Sequence, residues 1–240
     1  MSSPAQTPVA ILCGGRGTRL QEHTRSIPKP LVEIGGMPIV WHVVQLYAAS
    51  GFREFLLLTG YLGEQVEQFV AGCVWPDGVR VSCVETGLET QTGGRVVAAA
   101  QRLRSGTFCL SYADGVADID AAALLAEHRA AGLDATMTVV QPELQFGITE
   151  LSGEDRVTGF IEKPRSEQWV NGGFFCMEPA VLDLLDADCV LEREPLARLA
   201  AEGRLRAHRH NGFWDCMDTY KDAVLLNDLW ERGEAPWRRW

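Results

Sequence analysis

The stretch that decides the fold is VAILCGGRGTRL, residues 9–20. Residues 9–12 form a short apolar run that is typical of a buried strand, and three of the next five residues are glycine. Glycines after a strand leave backbone N–H groups open to an anion. Arg16 and Arg19 add guanidinium groups that bind phosphate bidentately and stay charged at any working pH. The alternative is a tight turn without a ligand, and the arginines favour a phosphate-binding loop.

Two well-known nucleotide-binding patterns do not fit this loop. The Rossmann fingerprint needs a third glycine at position 20, which is Leu20. The P-loop ends in Gly-Lys-Ser/Thr, and that sequence is absent here. Downstream, Lys29 stands between Pro28 and Pro30, which stiffen the backbone around it. A proline-rich surface turn would have the same sequence, but the nearby glycine loop favours a second phosphate-binding group.

Composition restricts the class of protein. The 240 residues are 46% hydrophobic and 22% charged, which is ordinary for a globular chain with a real core. A net charge of −10 argues against nucleic-acid or anionic-membrane binding through a general basic surface. Seven dispersed cysteines without metal-ligand spacing favour a reducing compartment. Together with the absence of a signal-peptide pattern, these features predict a cytoplasmic protein.

Strand and helix patterns alternate through the first half of the chain, which predicts a largely parallel sheet covered on both faces. The second half favours short antiparallel strands around residues 146–164 and another short strand at 169–179. It also favours three helices, at 180–186, 192–203 and 220–233. We therefore expect one domain over residues 1–240, with a nucleotide-binding half at about 8–141 and a second half at about 142–240. Predicted strands lie at 9–13, 52–61, 79–85, 107–114 and 135–141, and predicted helices at 38–51, 63–72, 92–103 and 121–132.

Acidic side chains follow the strand predicted at 107–114. Asp114 precedes a glycine at the carboxyl end of that strand, where ligands of open α/β sheets bind. Mg²⁺ takes one or two carboxylates besides substrate oxygens, so Asp114 is a candidate ligand, and Asp215 or Asp218 could supply a second. We assign Asp118 and Asp120 to the start of the next helix, as a cap and a favourable charge at its first turn.

GGRGTRL followed by PKPLVEIGGMPI resembles the signature of the sugar-1-phosphate nucleotidylyltransferases. TGGR, ADGVAD, NGGFF and FW..MDT make the chain most similar to the glucose-1-phosphate cytidylyltransferase branch, and the matching stretches run in order over nearly the whole chain. The resemblance implies a Rossmann-like three-layer α/β fold with a mixed, mainly parallel sheet of the GT-A-like kind and a small antiparallel sugar-binding portion. It also implies Mg²⁺ as cofactor, CTP and a sugar 1-phosphate (α-D-glucose 1-phosphate foremost) as substrates, and a homo-oligomer.

The same resemblance assigns roles to individual residues. It implies that Asp114 and Asp218 hold the metal, and that Lys163 contacts the sugar phosphate. The expected site comprises catalytic Arg19, Lys29 and Lys163; nucleotide-binding Leu12, Gly14, Gly15, Arg16, Gly17, Thr18, Gly94 and Arg95; and sugar-binding Glu162, Asn171 and Gly172.

Two departures from the family pattern leave alternatives open. The segment between the strand at 79–85 and TGGR is shorter than is typical of the cytidylyltransferases, which leaves a hexameric assembly and the base preference open. Ala113 replaces the first glycine of Gly-Asp-Gly, and together the two departures leave the sugar open. The same reaction with dTTP or UTP is therefore an alternative. A non-catalytic nucleotide-sugar sensor is disfavoured, because the metal aspartates and phosphate-binding lysines are present.

Overall fold

The computed structural model describes residues 3–17 and 26–240. Its centre is a seven-stranded sheet, and six further strands in the described residues form three two-stranded sheets. The strands are β1 (Pro8–Leu12), β2 (Glu33–Ile34), β3 (Met37–Pro38), β4 (Glu54–Thr59), β5 (Arg80–Glu85), β6 (Phe108–Tyr112), β7 (Gly115–Ala117), β8 (Ala135–Val140), β9 (Ile148–Leu151), β10 (Val157–Ile161), β11 (Val170–Met177), β12 (Leu205–Arg209) and β13 (Trp214–Cys216). The α-helices are α1 (Ile39–Ala49), α2 (Gly63–Gly72), α3 (Thr92–Ala98), α4 (Ala100–Leu103), α5 (Ala121–Ala131), α6 (Glu194–Ala201) and α7 (Tyr220–Glu231).

The central sheet is mixed and mainly parallel, as predicted. Its strand order is β12-β8-β11-β6-β1-β4-β5. All neighbouring pairs are parallel except those of β11, which runs antiparallel to both β6 and β8. Across residues 3–17 and 26–240, no helix is long and apolar enough to span a bilayer.

The sheet is buried on both faces, which gives three layers. Successive side chains of a strand point to opposite faces, and those of β1 divide accordingly: Val9 and Ile11 join one apolar cluster, whereas Ala10 and Leu12 join another. The first cluster includes the apolar side of α1 and α5, and the second includes that of α3 and α6. This double burial explains why the central strands are continuous apolar runs in the sequence.

Helix prediction succeeded where the periodicity was clear and failed in two details. The helices predicted at 38–51, 63–72 and 121–132 correspond to α1, α2 and α5. The single helix predicted at 92–103 is divided at Ala99 into α3 and α4. The apolar stretch at 180–186 is a 3-10 helix, Pro179–Leu184.

The second half of the chain completes the central sheet. β9 and β10 form the expected antiparallel hairpin. The strand expected to be short around NGGFF is the eight-residue β11, which lies between β6 and β8. β12 adds the outer strand beside β8. The two halves predicted at 8–141 and 142–240 therefore share one sheet.

The predicted helix cap before α5 is right for one aspartate and wrong for the other. The Asp120 carboxylate accepts hydrogen bonds from the backbone N–H groups of Ala122 and Ala123, both at 3.0 Å. Asp118 lies two residues before this N-cap, and its Oδ1 instead lies 3.0 Å from His210 Nε2. Asp118 thus connects the segment before α5 to the end of β12.

Candidate functional site

The glycine loop lies at the carboxyl end of β1, beside the ends of β4 and β6. Its backbone is fixed by two hydrogen bonds, from Cys13 N to Leu58 O at 2.9 Å and from Tyr61 N to Gly14 O at 3.2 Å. The loop forms one wall of a cavity of about 370 Å³. The predicted residues that line this cavity are Leu12, Gly14, Gly15, Gly17, Lys29, Arg95, Asp114 and Asp218. Thr18 and Arg19 lie outside the described residues.

Lys29 bridges the two predicted metal aspartates. Its Nζ donates to Asp114 Oδ2 at 2.6 Å and to Asp218 Oδ1 at 2.7 Å, and its side chain is only 13% exposed. Burial by itself would lower the pKa of Lys29, but the carboxylates outweigh it, so the pKa is raised. The lysine is therefore charged and held between the carboxylates.

Local sequence explains why these two aspartates meet. Asp114 lies two residues after the end of β6, and the backbone N–H of Met217 donates a hydrogen bond to its carbonyl oxygen at 2.9 Å. Asp218 precedes the N-cap of α7, Thr219, whose backbone N–H donates to the Asp222 carboxylate at 2.7 Å. The same carboxylate accepts from Asp218 N at 3.1 Å. This capping box holds the backbone of Asp218 where its side chain faces Asp114.

Arg95 contacts the backbone of the glycine loop. It is 4% exposed, and its Nη2 donates to Gly14 O at 2.9 Å, while Nη1 donates to Thr59 O, Thr86 Oγ1 and Gly87 O. Burial lowers the pKa of this guanidinium, but an arginine stays charged at neutral pH. A Cβ on Gly14 would lie 2.0 Å from Arg95 Nη1. Gly14 is therefore required by Arg95, and Arg95 fixes the loop at the edge of the cavity.

Arg16 and Gly94 lie at the periphery of this arrangement. Arg16 forms an ion pair with Glu89 and stacks on the Tyr61 ring with its Cζ 5.5 Å from the ring centroid. A Cβ on Gly94 would lie 2.0 Å from Ala187 O, so this glycine allows α3 to pack against the segment before α6. Helix packing therefore explains why residue 94 is a glycine, in addition to its predicted contact with the nucleotide.

A second cavity, of about 430 Å³, adjoins the first and contains the predicted sugar-binding Asn171 and Gly172. Asn171 Nδ2 donates to the Tyr112 hydroxyl at 3.0 Å, and Trp214 Nε1 donates to Gly172 O at 2.8 Å. Tyr112, Asp114 and Asp218 line both cavities. The two cavities therefore meet at the paired carboxylates.

Lys163 and Glu162 are not brought to this meeting point. They follow β10, with side chains 41% and 63% exposed, and their charged atoms are 3.9 Å apart. Lys163 lines a third cavity, of about 470 Å³, together with Asp215 and Lys221. Burial raises the pKa of Asp215 to about 6. Trp214 lines both the second and the third cavity, so the two lie next to each other.

The sequence analysis missed the polar network that joins the nucleotide side to the sugar side. The Tyr112 hydroxyl donates to Glu192 Oε1 at 2.6 Å, and Thr92 Oγ1 donates to Glu192 Oε2 at 2.5 Å. Burial raises the pKa of the Tyr112 hydroxyl, and the neighbouring Glu192 carboxylate raises it further. Tyr112 could have been found, because it ends β6 two residues before Asp114. Glu192 gives no local signal, since its partners are 80 and 100 residues away.

Comparisons with known proteins agree with this geometry. The family model for nucleotidyl transferases matches residues 9–210. The chain belongs to the nucleotidyl transferase family. It is 39% identical to a probable glucose-1-phosphate cytidylyltransferase of Bacillus subtilis, over 96% of this chain and 98% of that protein. The identity to the glucose-1-phosphate cytidylyltransferase of Salmonella typhi is also 39%, with the same coverage. A member of this family is an enzyme that transfers a nucleotidyl group.

Solved structures confirm the fold of this nucleotidyl transferase. HddC from Yersinia pseudotuberculosis, complexed with GMP-PN, superposes with a TM-score of 0.74 at 18% identity, covering 94% of this chain and 100% of that one. A putative glucose-1-phosphate thymidylyltransferase from Bacillus anthracis gives a TM-score of 0.74 at 17% identity, covering 93% and 94%. These likenesses establish the α/β architecture.

Proposed function

We propose that this nucleotidyl transferase joins CTP to α-D-glucose 1-phosphate and releases pyrophosphate and CDP-glucose. The structural observation that carries the reaction is the meeting of two cavities at Asp114 and Asp218, the two carboxylates that Lys29 bridges. The choice of CTP and glucose 1-phosphate rests on the relatives in Bacillus subtilis and Salmonella typhi, which are 39% identical over nearly their full length.

The paired carboxylates fit a magnesium ion. Two oxygens, from Asp114 and Asp218, converge on one cation, the Lys29 ammonium, and Mg²⁺ prefers carboxylate oxygens plus substrate phosphates and water. We propose that Asp114 and Asp218 hold Mg²⁺ in the loaded enzyme. When bound, the ion neutralises phosphate charge and orients the phosphates for displacement.

Backbone and side-chain groups of the protein bind and position the two substrates. The backbone N–H groups of the glycine loop, together with Lys29, bind the triphosphate in the first cavity, and Arg16 adds charge beside it. Arg19 supplies a further guanidinium for the phosphates. Asn171 holds the sugar hydroxyls in the second cavity. An oxygen of the sugar phosphate, already anionic, attacks the α-phosphorus in line, and pyrophosphate leaves. Since no proton must be removed from the nucleophile, catalysis is positioning and charge neutralisation.

Lys163 requires a change of position to take part. Its cavity adjoins the sugar cavity at Trp214, and the side chains of Lys163 and Glu162 after β10 are 41% and 63% exposed. We propose that the β9–β10 hairpin approaches the sugar cavity when sugar 1-phosphate binds, so that Lys163 contacts the phosphate and Glu162 the sugar. Binding energy from the sugar would thereby complete the site.

Assembly and location are parts of the same proposal. The β9–β10 hairpin and its approach expose large apolar side chains, including Phe146 at 79% and Phe160 at 62%. Exposed apolar side chains of this kind support association between copies of the chain. Light scattering on wild type and Phe160→Lys measures whether the copies associate. The described cysteines are free, which supports the cytoplasm as the location. The net charge of −10 supports small-molecule substrates and neither nucleic acid nor membrane as partner.

The deciding experiment measures pyrophosphate release with Mg²⁺, glucose 1-phosphate and each of CTP, dTTP, UTP, ATP and GTP in turn. Turnover with CTP and little with the other four is the expected result. Turnover with dTTP or UTP instead keeps the reaction and refutes the base. Absence of pyrophosphate release with all five, and then with CTP and a panel of sugar 1-phosphates, refutes the proposed enzymatic activity. A nucleotide-sugar-binding protein would then remain.

A further inference from the structure

One lysine ammonium occupies the point at which the two proposed metal ligands converge. Lys29 Nζ lies within 2.7 Å of a carboxylate oxygen of Asp114 and of Asp218. The three side chains are 13%, 26% and 32% exposed, so solvent screens their interaction only in part. Without the ammonium, the two carboxylates would repel each other across this gap.

The other basic side chain that lines this cavity in the described part of the chain is already committed. Arg95 donates to three backbone carbonyls and to Thr86 Oγ1, and moving it would release the glycine loop. Lys29, in contrast, carries its charge on four methylene groups, while Pro28 and Pro30 fix its backbone in a 3-10 turn. Its ammonium is therefore the cation that can exchange partners inside the cavity.

We infer that Lys29 is a resident counter-cation that keeps divalent metal off the Asp114–Asp218 pair until a triphosphate draws the ammonium away. The inference rests on the proposed function, since it takes that pair as the metal site. A dication and an ammonium cannot share the same two oxygens, because like charges at such distances repel strongly in a partly desolvated cavity. Lys29 thus determines the order in which metal and nucleotide are bound.

The triphosphate removes this block by offering the ammonium a stronger partner. Its oxygens enter the cavity beside Lys29, and the ammonium passes from the carboxylates to the phosphates. With the ammonium moved to the phosphates, Asp114 and Asp218 would hold the metal, which would supply a further positive charge to the phosphate oxygens. Binding of metal and binding of triphosphate therefore favour each other, and this coupling is reciprocal. Lys29 is the origin of a large part of it.

The test is the affinity for Mn²⁺ alone, measured by electron paramagnetic resonance of free Mn²⁺ with no nucleotide present. Lys29→Met removes the charge and keeps the length of the side chain. We expect it to bind Mn²⁺ at least about ten-fold more tightly than wild type, whereas Lys29→Arg, which keeps the charge, gains no affinity. Equal Mn²⁺ affinity of wild type and a cooperatively melting Lys29→Met overturns the inference.

Thermal melting covers the possibility that loss of the ammonium beside Asp114 and Asp218 destabilises Lys29→Met. Mn²⁺ should then raise the melting temperature of this variant more than that of wild type, because the ion replaces the missing charge. Lys29→Gln, which is shorter and neutral, provides a second variant with the same expectation. An equal Mn²⁺-dependent rise in wild type and both neutral variants contradicts the inference.

Failure of the inference and failure of the proposed function give different results. If Asp114→Asn and Asp218→Asn abolish binding of Mn²⁺ in the presence of CTP while Lys29→Met leaves nucleotide-free binding unchanged, the metal site stands and only the inference fails. If both aspartate variants bind Mn²⁺ with CTP as wild type does, the metal site itself is wrong and the proposed function loses its support.

Discussion

The basic groups of the cavity beside the glycine loop and of the β9–β10 hairpin differ in their exposure and in their contacts with carboxylates. Lys29 in the cavity is 13% exposed and contacts two carboxylates, whereas Lys163 after the hairpin is 41% exposed and its neighbouring carboxylate lies 3.9 Å away. The cavity is built before substrate arrives, because its charges are neutralised by partners from distant strands. In the proposed function, the hairpin brings its charges to the site only when there is a sugar phosphate to bind.

The largest expected effect is at the cavity beside the glycine loop, where the charged groups are in contact before substrate binds. Asp218→Asn removes one of the two converging charges and should lower kcat by about a thousand-fold or more, since electrostatic groups at a transferred phosphoryl have effects of this order. Pyrophosphate release measures it. Asp215→Asn is the matched control, three residues earlier and outside the first two cavities. A control as inactive as Asp218→Asn would refute the assignment of Asp218.

On the hairpin side, Lys163→Ala should lower kcat/KM for the sugar 1-phosphate by about a hundred-fold, because the incoming phosphate loses its cation. The Kd for CTP, measured by calorimetry without sugar, should stay within about two-fold of wild type. Lys221→Ala, from the same cavity, is the control. Loss of CTP affinity in step with activity would mean that Lys163 belongs to the triphosphate site, and the contrast between the two regions would disappear.

Two neighbouring glycines sharpen the idea of a preassembled cavity. Gly14→Ala places a methyl group on the Arg95 guanidinium, so both the melting temperature and the affinity for CTP should fall, the affinity by about ten-fold or more. Gly15→Ala meets nothing within 4 Å and should melt as wild type does, while still hindering phosphate approach. Equal melting temperatures for the two variants would show that Arg95 does not fix the loop.

The smallest expected effect concerns the entrance of the cavity. Glu89→Gln removes the charge that pairs with the half-exposed Arg16. An exposed ion pair is weak, so release of Arg16 should strengthen CTP binding by only about two- to five-fold at low salt. The gain should vanish at high salt, because screening weakens exposed charges. Weaker CTP binding in Glu89→Gln would instead make Glu89 part of the nucleotide site.

Local patterns predicted the sheet and the glycine loop, whereas the pairing of Asp114 with Asp218, rather than with Asp215, came from the resemblance to the nucleotidylyltransferases. β11 was underestimated, since its glycines interrupt the apolar run and hide that it lies at the centre of the sheet. The ion pairs of Lys29 with both aspartates and the contact of Arg95 with Gly14 O could not be predicted. They join residues 81 to 189 positions apart, and no periodicity records such contacts.

The mixed sheet also constrains how the chain must be made. β11 lies between β6 and β8, so those two strands, both synthesised before residue 141, have no partner in each other. A nascent chain that has left the ribosome up to α5 can pair β6, β1, β4 and β5, but β8 must wait for residues 170–177, and its outer edge for residues 205–209. The paired aspartates meet later still, at residue 218. The Asp114–Asp218 pair can therefore form only after every strand of the central sheet has been synthesised.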